Sequence, residues 1–98
     1  MPSETIHFPS SRQLSQLYAD DTRNLEEAER MLNIVLVSRD NWVSIEGEQA
    51  AIDQTKALFE LIDIARQQGI RIRTSDFHYT LRCIADGRTE ELREIYTD

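Results

Sequence analysis

Arg66, Arg71 and Arg73 crowd the run Arg66-Gln-Gln-Gly-Ile-Arg-Ile-Arg73. Guanidinium groups bind carboxylates and phosphates through paired N–H donors, so the chemistry this run offers is anion binding. The three are expected to be free of an acidic partner, with Arg71 and Arg73 on one face of an extended segment. A solvated edge, charged to discourage strand pairing, has the same composition and is the commoner arrangement. Arg23, Asn24 and Arg39 form a second basic and polar set, crowded by Asp20, Asp21 and Asp40.

No other residue set assembles into a reactive centre. Cys83 is the only cysteine, which excludes an intramolecular disulfide and a thiolate zinc cluster. Flanked by Arg82 and Ile84, it reads as a small buried residue and fits a reducing compartment. His7 and His78 have no partners at metal-ligand spacing. Glu26, Glu27 and Glu29 read as a solvated helix face. Trp42 is the single tryptophan, a residue type that stacks on bases but more often packs under a helix or at an interface. Tyr79 is expected to pack among the last helices. With no nucleophile–base pair, metal set or phosphate loop, the chain is not expected to be an enzyme or to hold a cofactor.

Charge points the same way. Eighteen acidic residues against eleven basic ones give a net charge of −7 over 98 residues. Nucleic-acid binders usually carry the opposite sign, because phosphate neutralisation supplies most of their affinity. No apolar run approaches the roughly 20 residues that span a bilayer, and the first residues lack a basic then apolar leader pattern. The expected address is therefore cytoplasmic, without membrane contact.

The elements follow from periodicity. Thr5–Phe8 alternates as a short strand that Pro9 ends. Ser10 and Gln13 have capping-box spacing and open a helix that stops near Ala19. Asp20, Asp21, Thr22 and Asn24 are all cap formers, so a second helix starts within Thr22–Asn24. Its stripe is Leu25, Ala28, Met31 and Leu32, and a left-handed Asn33 closes it. Ile34–Val37 is apolar on both sides, which predicts a central strand. A turn at Arg39-Asp40-Asn41 returns the chain along Trp42–Ile45, with Val43 and Ile45 inward. The longest helix runs from about Glu48 to Gln68 and ends at Gly69. Ile70–Arg73 is extended, a candidate edge strand. Thr74-Ser75-Asp76 caps a helix bearing Phe77, Leu81 and Ile84, and Thr89 opens a last segment with Leu92, Ile95 and Tyr96.

This order, β-α-α-β-β-α followed by two short helices, predicts an α+β, two-layer domain. It resembles a type I KH domain over residues 1–69, with 70–98 as an extended link and a C-terminal helical extension. The run "RNLEEAERMLNIVLV" from Arg23 fits the helix and strand that follow the KH Gly-x-x-Gly loop. Counting back places Ala19-Asp20-Asp21-Thr22 on the loop positions. A longer run, "DTRNLEEAERMLNIVLVSRDNWVSIEGEQAAIDQTKALFELI", resembles the N-terminal region of phosphate-starvation-inducible PhoH-like proteins, and "IRTSDFHYTLRCIADGR" extends the resemblance to about residue 95.

The resemblance implies an accessory domain ahead of a P-loop ATPase domain, with a role in RNA metabolism or in organising the ATPase. ATP and Mg would belong to that other domain. No Gly-x-x-x-x-Gly-Lys-Ser/Thr motif occurs here: glycine stands only at 47, 69 and 87, and the one lysine is Lys56. The implied partners are the ATPase domain of the same parent chain, RNA bound weakly, and further copies in a homo-oligomer.

The loop decides between these partners. A KH loop grips phosphates because its glycines let the backbone approach and its amides donate. Here both glycines are replaced, and two aspartates stand where phosphate would lie. That pattern reads as a capped helix junction. The alternative function is then a protein-interaction or oligomerisation module that does not touch nucleic acid.

Overall fold

The computed structural model describes residues 1–97. It is an α+β fold with a three-stranded antiparallel sheet and, among the described residues, five helices. The elements are β1 (Ser3–His7), α1 (Ser11–Leu17), α2 (Thr22–Leu32), β2 (Val35–Arg39), β3 (Trp42–Glu46), α3 (Gln49–Gln67), α4 (Thr74–Ala85) and α5 (Thr89–Thr97).

The sheet order is β1-β3-β2, so β2 is an edge strand and β3 the central one. This corrects the expectation from Ile34–Val37. Continuous apolarity suggested burial on both faces, but Val35 and Val37 are 53% and 41% exposed. The strand that is central alternates instead: Val43 and Ile45 are fully buried, while Trp42 and Ser44 lie half-buried on the other face. Alternation reports one covered face and carries no information on how many neighbours a strand has. Part of the β2 edge is blocked from outside, because the Leu36 N–H donates to the Glu29 carboxylate of α2 at 2.9 Å.

Helix ends are set by local chemistry. Ser10 Oγ accepts from the Gln13 N–H at 3.1 Å, and the Asp21 carboxylate accepts from the Arg23 N–H at 3.0 Å. α3 stops in a Schellman motif: the Gly69 N–H donates to the Arg66 carbonyl and the Ile70 N–H to the Ala65 carbonyl. Gly69 takes φ +90 there, which only glycine adopts without strain. Gly47 is needed for a different reason, since a Cβ at this position would meet Ile34 Cγ2 at 2.8 Å. Residues 70–73 add no strand to the sheet. They form a link in which Ile72 is buried between exposed Arg71 and Arg73.

One core serves the described chain. α3 buries Ile52, Leu58, Phe59 and Ile62 in it, and the Phe59 ring meets Phe8 edge-on at 6.2 Å. α4 packs on α2 and α3, and α5 on α3 and α4. Phe77, Leu81, Ile84 and Leu92 join the same buried cluster as Leu17, Val43 and Ile45. Ile95 does not join it, being 64% exposed. Among the described residues no helix is long and apolar enough to cross a membrane.

Candidate functional site

The junction between α1 and α2 is where the loop chemistry had to be decided. α1 ends at Leu17, two residues short of the expected stop, because the chain turns left-handed at Ala19 (φ 61) and Asp20 (φ 58). The Ala19 N–H donates to the Gln16 carbonyl and the Asp20 N–H to the Ser15 carbonyl, the Schellman pattern again. Ala19 thus holds the position where glycine is the usual occupant. An L-residue there costs about 1–2 kcal/mol of backbone strain. Replacing Ala19 by glycine relieves it at the expense of unfolded-state entropy. Ala19→Gly is therefore expected to stabilise the fold by about 0.5–1 kcal/mol, read as a higher urea midpoint at unchanged slope.

The loop's donors are used up internally. The Tyr18 N–H bonds to the Ser15 carbonyl, the Asp21 N–H to the Tyr18 carbonyl, and the Asn24 N–H to the Asp21 carbonyl. The Asp21 side chain takes the Arg23 N–H. From Tyr18 to Asn24, only the Thr22 N–H lacks a partner among the described residues. The Arg23 guanidinium also binds the Asp21 carboxylate, through Nε at 3.0 Å and Nη2 at 2.8 Å. That side chain first, then the Arg23 backbone N–H, holds the Asp21 carboxyl below the usual carboxylate range. Asp21 is therefore ionised at neutral pH but matched by Arg23, while Asp20 has no ion-pair partner among the described residues, so a phosphate meets an uncompensated carboxylate where it would need donors.

The expected contact residues fall into three places. Arg23 is exposed but tied to Asp21. Asn24 is buried at 2% exposure and points inward: its amide donates to the Tyr18 carbonyl at 2.9 Å and lies 3.2 Å from Thr74 Oγ1. It fastens the α1–α2 junction to the start of α4 and is closed to a ligand. Arg39 lies on the helix-free face of the sheet, opposite Trp42, which pairs in turn with His7. Trp42 is thus half-buried on an open sheet face and does not pack under a helix.

Arg66 departs from expectation, since Asp63, one helical turn earlier, binds its Nε at 2.9 Å. Arg66 and Arg71 nevertheless come together. They line a cavity of about 360 Å³ with Arg12 and Gln16 of α1 and with Asp20. Arg73 stands outside it, and its backbone N–H donates to the Asp76 carboxylate at 2.9 Å to start α4. Arg12 is invisible as a site residue in the sequence, because the cavity is lined by two stretches, 12–20 and 66–72, that lie far apart in the chain.

Among the described residues no group of three His, Cys, Asp or Glu side chains is placed to hold a metal ion. Cys83 is buried. No family model, curated protein or solved structure matches the chain.

Proposed function

We propose that the chain is a type I KH-like accessory domain of the PhoH-like kind, serving an ATPase domain of the same parent protein, and that it does not grip RNA through its loop. The α1–α2 junction carries this reading. It has the left-handed turn of a phosphate-gripping loop, yet every amide from Tyr18 to Asn24 except that of Thr22 is bonded internally. The order β-α-α-β-β-α and the sheet order β1-β3-β2 support the KH-like part. The sequence resemblance over about residues 5 to 95 supports the PhoH-like part. The parent's role in RNA metabolism would then rest on its other domain, with ATP and Mg bound there.

A second reading, an interaction or oligomerisation module, draws on the helix-free sheet face. Val35 and Val37 are exposed there beside Trp42 and Arg39. Exposed valines on an edge strand are a surface that another chain could cover.

Titration of a labelled, 5′-hydroxyl single-stranded RNA at about 50 and 200 mM salt tests the first reading. The expected result is no saturable binding at micromolar protein, even at the lower salt. Saturable binding that weakens steeply with salt and persists in the Arg71→Glu/Arg73→Glu variant, which leaves the loop intact, would overturn it. Sedimentation of the same samples addresses the second reading, which requires a dimer that forms as concentration rises.

A further inference from the structure

We infer that the cavity between α1, the end of α3 and the 70–73 link is a binding site for a terminal phosphate group, one that carries two negative charges. It lies behind the α1–α2 loop rather than on it, and the inference does not depend on the KH-like reading. Three guanidiniums, from Arg12, Arg66 and Arg71, line it against one lining carboxylate, Asp20, in a chain whose net charge is −7. Such a gathering of cations runs against the charge of the molecule as a whole.

Their pairing is as informative as their number. Arg12 and Arg71 have no ion-pair partner within 4.0 Å among the described residues. Arg66 has one, Asp63, but the bond uses only Nε. The second oxygen of Asp63 accepts from the Gln67 side chain at 2.9 Å, so the carboxylate is held in place. A guanidinium clamped through Nε is oriented, and its two Nη groups remain as free donors on the outer side. The Gln16 side-chain amide adds a neutral donor. A volume of about 360 Å³ has the size of a small-ligand site rather than of a single ion. Ile70 and Ile72 supply an apolar wall for whatever carries the phosphate.

The net positive charge sets the selectivity: Asp63 offsets Arg66, and Asp20 opposes the unpaired Arg12 and Arg71 only in part. A dianion gains about twice the attraction of a monoanionic diester there. An extended polyanion would also have to pass the Asp20 and Asp21 carboxylates. The chemistry therefore selects a terminal phosphate, whether on a nucleotide or in free pyrophosphate.

Calorimetric titration of the full chain with pyrophosphate, AMP and adenosine tests this. Pyrophosphate and AMP are expected to bind and adenosine not to; the tighter of the two identifies the source, a free polyphosphate anion or a nucleotide. Arg12→Gln and Arg71→Gln should each weaken binding about tenfold, the effect of losing one charge-assisted contact. Asp20→Asn should strengthen it about threefold. Arg82→Gln, an exposed arginine on α4 outside the cavity, should leave it unchanged. All four positions are exposed, so melting curves should coincide with that of the parent chain. Absence of heat with both phosphate probes at millimolar concentration would overturn the inference, and so would affinity untouched by Arg12→Gln and Arg71→Gln.

Discussion

A chain ending at Gly69 is expected to show no cooperative unfolding transition. The shortened chain would keep the whole sheet and the three helices α1, α2 and α3. It would lose Phe77, Leu81, Ile84 and Leu92, each at most 1% exposed and all part of the one core. Side chains of that size contribute about 1.5–3 kcal/mol each on burial. The entropy cost of ordering the lost segment vanishes with it and offsets part of this. The apolar surface left uncovered on α2 and α3 has no such offset. Ile62 and Ala65, which line one cavity with Thr80 and Tyr96, would face water. A domain of this size has a total stability of roughly 5–15 kcal/mol, so the loss is comparable with the whole. Circular dichroism melting and amide dispersion of residues 1–69 provide the check. A sharp melt with native-like dispersion would show that α4 and α5 are dispensable.

Asn24→Ala is expected to lower stability by about 2 kcal/mol, which for a domain of this size moves the melting midpoint down by roughly 8–16 °C. Its amide donates to the Tyr18 carbonyl and to Thr74, which lies 50 residues further along the chain than Asn24. Deleting it removes both bonds in a site closed to water, and a cavity remains. The Tyr18 carbonyl keeps one donor, the Asp21 N–H at 3.3 Å, which limits the cost. Arg23→Ala beside it should leave the melt in place, because an exposed ion pair adds little. Equal melts for Asn24→Ala and the parent would contradict the stapling role.

The contrast between these neighbours shows what the sequence could and could not disclose. Arg23 and Asn24 stand side by side next to the loop positions and are both contact candidates in the sequence. Asn24 is buried because its partner lies in α4, and no local pattern reports a bond across that separation. Features set within one turn of chain were legible: the Ser10 cap, left-handed Asn33 (φ 56), the end of α3 at Gly69 and the inward pair Val43 and Ile45. The Asp63–Arg66 pair is equally local, at helical spacing, and lies just ahead of the basic run that begins at residue 66. The place of β2 in the sheet was not legible, since apolarity measures burial and Val35 and Val37 defy it. The cavity lined by Arg12, Asp20, Arg66 and Arg71 exists only after α1, α3 and the link have packed. Arg66 and Arg71 share a basic run that is visible in the sequence, but nothing in it links them to Arg12 and Asp20.

The junction from Tyr18 to Asn24 is a left-handed turn whose amides, that of Thr22 excepted, are already bonded and whose tip carries Asp20 and Asp21. Amide-resolved NMR during titration with a 5′-hydroxyl oligouridine shows whether it takes RNA. The Ala19–Asn24 amide signals are expected to stay in place as RNA is added. Saturable shifts concentrated on those amides, lost at higher salt, would contradict this.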